Sequence, residues 1–148
     1  MKIQDGENVR ECIEKTKGLV FLGLPNNMID KEITSVLING LMLNKSICQL
    51  DLSHNLIDDL AAKKVAKYLL KTQILTHLNL SDNLIMQNGA IYLSQALIKN
   101  VSLVSLNLKQ NKITDNASGK LCMNLMQNKT LKELNLASNN LCKYVNFI

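Results

Sequence analysis

This chain has no tryptophan and only five other aromatic residues, 3% of its 148 positions. Its core must therefore be built from aliphatic side chains, and it lacks the stacking platforms on which single-strand nucleic-acid binders seat bases. It has one arginine, Arg10, against 16 lysines, so the +5 net charge comes without the guanidinium forks that read phosphates and base edges. Nucleic acid is not an expected partner. No apolar run approaches the roughly 18 residues that span a bilayer, and the N-terminus lacks an apolar signal region. Neither secretion nor membrane insertion is expected. The four cysteines, Cys12, Cys48, Cys122 and Cys142, form no C-x-x-C pair and fit reduced thiols in a cytosolic compartment. Phosphate loops, dinucleotide fingerprints, zinc-protease helices, nucleophile elbows and calcium loops are all missing. The two histidines, His54 and His77, fall five repeat positions apart, roughly 16 Å along a strand, too far to share a metal. No enzyme activity, metal or cofactor is expected.

What the chain does have is a sentence written five times. Leu-x-x-Leu-x-Leu-x-x-Asn-x-Leu/Ile begins at Leu19, Ile47, Leu75, Leu103 and Leu131, each start 28 residues after the last. A fixed period in the range 20 to 29 with this spelling is the leucine-rich-repeat signature. The alternation within each unit predicts a strand, with the inward pairs Leu22 and Leu24, Leu50 and Leu52, Leu78 and Leu80, Leu106 and Leu108, and Leu134 and Leu136. Beyond the Asn-x-Ile/Leu turn the spacing becomes helical: Ile33, Leu37 and Leu41; Ala61, Val65 and Leu69; Gly89, Leu93 and Leu97; Ala117, Leu121 and Leu125. Each helix stops near Asn44, Thr72, Asn100 or Asn128, and a left-handed cap on the asparagines is the expected reason. Strands repeat every 4.7–4.9 Å but packed helices need 8–10 Å, so the stack must curve. The fold class is an α/β solenoid, a right-handed horseshoe segment with parallel strands concave and helices convex.

Residues 1–18 carry half a unit and predict a capping helix; residues 19–148 carry the repeats, the last one incomplete. The column Asn27, Asn55, Asn83, Asn111 and Asn139 recurs where the backbone leaves each strand, so its amides are expected to satisfy buried backbone groups. After Leu141 only Cys142 to Ile148 remain, including Tyr144, Val145, Phe147 and Ile148. Terminal repeats normally carry a polar cap, and the absence of one here predicts self-association through an open strand edge.

The strands offer a surface. Phe21, Gln49, His77, Ser105 and Glu133 form one outward column; Gly23, Asp51, Asn79, Asn107 and Asn135 form the next; Lys109 lies in a third, one unit from Asp82 and at a neighbouring position from which the two could pair. Concave faces are the usual binding surfaces of solenoids. Phe21, Gln49, Asp51, His77, Asn79, Ser105, Asn107, Lys109 and Asn135 are therefore the candidate partner-binding residues, the asparagines suited to an extended peptide and Phe21 to anchoring one end. The densest charge run, Lys63, Lys64, Lys67 and Lys71, reads either as a solvated helix face or as a patch for an acidic partner.

From Val9 to Leu141 the chain resembles the ribonuclease-inhibitor-like class of leucine-rich repeats, on its 28-residue unit closing in Leu-x-x-x-Leu-x-x-Asn-x-x-Leu. Within that class QLDLSHNLIDDLAAKKVAKYLL and ALIKNVSLVSLNLKQNKITDNASGKLCMNLMQNKTL look most like an axonemal subunit of the nexin–dynein regulatory complex. The resemblance implies a non-enzymatic protein-interaction scaffold in the cytoplasm, specifically the ciliary axoneme. The other reading it implies is a small-GTPase regulator or a fragment of a NOD-like-receptor sensor. Two relatives fit poorly: Ran activators place basic residues at one rim, and ribonuclease inhibitors are acidic and rich in tryptophan and cysteine.

Overall fold

A computed structural model describes residues 2–141. Helices and strands alternate through the chain: α1 (Ile3–Lys15), β1 (Phe21–Gly23), α2 (Lys31–Leu43), β2 (Gln49–Asp51), α3 (Asp59–Leu69), β3 (His77–Asn79), α4 (Gln87–Lys99), β4 (Ser105–Asn107), α5 (Asp115–Leu125) and β5 (Glu133–Asn135). The strands form one parallel sheet in the order β1-β2-β3-β4-β5. Its register is the sequence period: Leu22, Leu50, Leu78, Leu106 and Leu134 lie side by side, each 28 residues from the next. Each helix packs on the next one in the series, so the chain is an α/β leucine-rich-repeat solenoid with a strand layer and a helix layer.

The core lies between those layers. Leu50, Leu52, Leu78, Leu80, Leu106 and Leu108 meet the helix stripes Ile33, Leu37 and Leu41; Ala61, Val65 and Leu69; Leu93 and Leu97; and Ala117 and Leu121, all buried. The end units close less completely, with Leu22, Leu24, Leu125, Leu134 and Leu136 only partly covered. At the N-terminal end α1 packs on α2 and buries Gly6 and Ile13. No helix among the described residues is long and apolar enough to cross a membrane. The segment on which the expectation of C-terminal self-association rests, Cys142 to Ile148, lies outside the described residues.

The starts of α2 and α3 are fixed by carboxylates. Asp30 Oδ1 accepts from Ile33 N at 3.0 Å and Asp58 Oδ1 from Ala61 N at 2.8 Å, the N-cap arrangement that satisfies an orphan donor. Helix α4 has Met86 at that position and no side-chain cap of its own. Asp59 of the preceding unit supplies the acceptor instead, taking Met86 N at 2.8 Å.

Helix ends correct the expectation drawn from sequence. Asn44 and Asn100 are extended, with φ −72° and −73°, not left-handed. Their work is across units: Asn44 Nδ2 donates to Ile13 O at 2.8 Å, Asn100 Nδ2 to Leu69 O at 2.7 Å and Asn128 Nδ2 to Leu97 O at 2.6 Å. Each bond reaches back 31 residues, and the Oδ1 atoms accept the N–H groups of Ile47, Leu103 and Leu131. A second amide ladder thus ties helix ends together, and Thr72 interrupts it. The Thr72 hydroxyl accepts only long contacts, 3.4 Å from Ile74 N and 3.3 Å from Leu75 N. It also bonds the Tyr68 phenol, which burial pushes above its usual pKa while that bond works the other way. A recess of about 190 Å³ adjoins the pair. Thr72→Asn should restore the donor to the Leu41 carbonyl and stabilise the chain by about 1 kcal/mol, read as a higher urea midpoint at constant m. A lower midpoint would mean that Tyr68 occupies the place the amide needs.

Candidate functional site

The period that sets the register also stacks chemistry. In-register pairing brings Phe21, Gln49, His77, Ser105 and Glu133 into one column and Gly23, Asp51, Asn79, Asn107 and Asn135 into the next. A shallow depression of about 240 Å³ runs over β1 to β4 and is lined by Phe21, Gln49, Asp51, His77, Asn79, Ser105 and Asn107. Seven of the nine sequence-derived candidates share that depression. Lys109 and Asn135 do not line it. The Phe21 ring is 54% exposed and leans over Gly23, where a Cβ would lie 3.0 Å from its Cζ. The first unit thus lends its side-chain space to an aromatic lid at one end of the depression.

The second column has a structural duty that sequence reading missed. Asp51 Oδ1 accepts Ser53 N at 2.8 Å, Asn79 Oδ1 accepts Ser81 N at 3.1 Å, Asn107 Oδ1 accepts Lys109 N at 3.0 Å and Asn135 Oδ1 accepts Ala137 N at 3.0 Å. These are Asx turns, and they orient each side chain by its acceptor. The carboxamide Nδ2 groups of Asn79, Asn107 and Asn135 make no hydrogen bond among the described residues and form a row of donors on half-buried to exposed side chains, spaced by the strand repeat of about 4.8 Å. His77 Nδ1 lies 2.9 Å from Thr76 Oγ1.

Behind the turns sits the first amide ladder. Asn83 Nδ2 donates to Leu52 O at 3.0 Å, Leu80 O at 3.1 Å and Ser81 O at 3.1 Å, while its Oδ1 accepts Ile57 N at 2.9 Å. Asn55 and Asn111 repeat the pattern, and all three are buried. Asn139 keeps the bonds to Leu108 O and Leu136 O but is partly exposed. Asn27 takes Asn55 Oδ1 on its backbone N–H and donates to Pro25 O.

The rim beyond the ladder carries left-handed backbone at Asn26, His54, Asp82, Gln110 and Ser138, φ between 52° and 58°. That twist turns each N–H onto the neighbouring unit: His54 N donates to Ser81 O, Asp82 N to Lys109 O and Gln110 N to Ala137 O. Five different residue types hold one conformation, so composition alone carried no signal. The rim also corrects a pairing. The Asp82 carboxylate contacts His54 Nδ1 in the preceding unit, not Lys109 in the following one. The two histidines therefore have separate partners, and the described residues hold no cluster of three or more potential metal ligands.

A leucine-rich-repeat family model matches residues 73–94, 99–122 and 127–141. No curated protein sequence matches the chain. Among solved structures, leiomodin-1 actin-binding site 2 superposes with a TM-score of 0.81 at 22% identity, covering 92% of this chain and 79% of that one. The Caenorhabditis elegans tropomodulin C-terminal domain does so with a TM-score of 0.76 at 16% identity, covering 93% and 83%. At such identities the likeness is one of fold, and it agrees with the in-register sheet and the repeated amide ladder: the architecture is that of the leucine-rich-repeat solenoids.

Proposed function

We propose that the chain is a non-enzymatic protein-interaction module whose concave sheet receives an extended segment of a partner. The observation that carries this is the row of Nδ2 donors on Asn79, Asn107 and Asn135, held by Asx turns beside an exposed aromatic ring. Carbonyl oxygens of an extended chain are the natural acceptors for such a row, and a fixed donor array loses little side-chain freedom on binding. Phe21 gives that segment an apolar end stop, and Gln49, Asp51, His77 and Ser105 line the path between.

The class of partner that we favour is cytoskeletal. The sequence resemblance to the T-complex-associated testis-expressed protein, a subunit of the nexin–dynein regulatory complex, points to the ciliary axoneme. The structural likeness to leiomodin-1 actin-binding site 2 supports a filament-associated role in broader terms. Immobilised full-length chain should enrich a defined protein from axoneme extract over soluble cytosol. The double substitution Asn79→Lys and Asn107→Lys should abolish capture, by at least about tenfold, without changing circular dichroism. Retained capture by the double variant would remove the concave face as the recognition surface. Equal enrichment from cytosol would remove the axonemal role and leave the GTPase-regulatory reading.

A further inference from the structure

The convex layer carries a feature that the concave reading does not use. Helix α3 presents Lys63, Lys64 and Lys67 to solvent, with Lys71 just beyond its end, and Lys31 and Lys99 face it from α2 and α4. Lys63 and Lys67 are one helical turn apart, about 6 Å, and line grooves on both sides of α3. The groove between α2 and α3 encloses about 460 Å³ and has Leu60 on its wall, 53% exposed. The groove between α3 and α4 encloses about 280 Å³ and has Leu70, 48% exposed.

Nearby acids do not neutralise this ridge. Glu32 is held by Lys31 at 3.5 Å, and Asp59 is bonded to Met86 N at 2.8 Å. Among the described residues the ion pairs join Arg10 with Glu7 and Glu14, Lys15 with Glu11 and Lys31 with Glu32, and Asp82 contacts His54; none of these contains an α3 lysine. Lys63 Nζ instead lies 5.0 Å from the centroid of the Tyr92 ring, at the second groove, while the side chain also lines the first. Exposed leucines flanked by lysines, with Glu32 the one acid lining the α2–α3 groove and already beside Lys31, form a surface of net positive charge with apolar footholds.

We infer that α3 is a docking ridge for an acidic amphipathic helix of a partner protein, seated in the α2–α3 groove. Its apolar side meets Leu60, and carboxylates spaced one turn apart meet Lys63 and Lys67. Grooves between helices receive helices through apolar anchors at i, i+3 and i+4, and charge complementarity sets the orientation and the rate of encounter. This surface lies on the opposite layer from the asparagine row and stands whether or not that row binds a partner.

Fluorescence anisotropy of a labelled peptide of about five helical turns, ~18 residues, tests the idea. The peptide has glutamates at i, i+4 along one face and leucines on the other. The full chain should bind it at low salt, and affinity should fall as salt screens the lysines. Lys63→Glu with Lys67→Glu should weaken binding at least about tenfold, and Leu60→Ala several-fold. Asn79→Lys with Asn107→Lys should leave binding unchanged. Leu60, Lys63 and Lys67 are exposed and Asn79 and Asn107 half-buried, and unaltered circular dichroism verifies folding. Failure of the wild-type chain to bind, equal binding of a scrambled peptide of the same composition, or wild-type affinity in the charge-reversed variant would each overturn the inference. So would capture of the chain by phosphatidylserine vesicles without capture of the peptide.

Discussion

Asn83→Ala should destabilise the chain by about 3 kcal/mol. The side chain is buried in the middle unit and makes four hydrogen bonds, three donated to the Leu52, Leu80 and Ser81 carbonyls and one accepted from Ile57 N. A buried backbone group left without a partner costs about 1–3 kcal/mol. Some of these carbonyls regain water once the amide is gone, which keeps the total well below four full penalties. At about 2–4 °C per kcal/mol for a domain of this size, the melting temperature should fall by about 6–12 °C. Asn83→Asp is the sharper probe: it keeps an acceptor for Ile57 N but sets a carboxylate against three carbonyl oxygens, so it should be no better than alanine. Asn27→Ala, in the partly exposed first unit, should cost under about 1 kcal/mol. Equal losses at Asn27 and Asn83 would show that position in the stack does not govern the ladder.

That contrast shows where sequence reading was strong. The five asparagines stand in one column, their strand-exit position leaves backbone groups without ladder partners, and the 28-residue period brings copies together. The same period sets Leu50, Leu78 and Leu106 side by side in the sheet. Residues whose role is set by the unit itself were legible, because repetition averages away local accidents.

Features that depend on what lies one unit away were less legible. Asn44, Asn100 and Asn128 invited a local explanation, a left-handed cap, yet their bonds run to carbonyls 31 residues back. Left-handed residues lie instead at Met28 and, once in every unit, at Asn26, His54, Asp82, Gln110 and Ser138, where variety of side chain hid a shared backbone. Asp82 had a partner available on either side, Lys109 ahead and His54 behind; His54 shares its register position, Lys109 lies one position off, and the contact forms with His54. On the concave face, sequence gave the column Asp51, Asn79, Asn107 and Asn135 as free hydrogen-bonding groups. The structure shows one oxygen of each already engaged in an Asx turn, so the three asparagines offer donors and Asp51 its second oxygen. The grooves beside α3 depended on how lysines from three helices converge, which no single helix stripe encodes.

Two glycines in equivalent layers should respond to alanine with opposite signs. An exposed helical glycine gains about 1 kcal/mol when replaced by alanine, because the unfolded chain loses freedom and the helix gains propensity. Gly119 in α5 meets that condition: a Cβ there would touch nothing within 4 Å. Gly89 in α4 is buried, and a Cβ would lie 2.6 Å from Asp59 Oδ1, 2.8 Å from Ile85 Cγ2 and 3.1 Å from Ala62 Cβ. Overpacking of a tight core costs about 1–3 kcal/mol. Asp59 is also the acceptor that caps α4 from the preceding unit, so displacing it adds about 1 kcal/mol for the lost cap. These costs exceed the propensity gain, and Gly89→Ala should be net destabilising by about 1–2 kcal/mol. Gly89→Val, without alanine's propensity and with two further methyl groups, should lose about 3 kcal/mol or more. Because the clash runs through Asp59, Asp59→Ala and Gly89→Ala should be non-additive, the double variant being more stable than the sum of the single losses. Urea denaturation of the four variants and the Gly119→Ala control measures this directly. If Gly89→Ala raised the midpoint as Gly119→Ala does, helices α3 and α4 would pack less closely than the structure shows, and the cross-unit cap would carry no stabilising role.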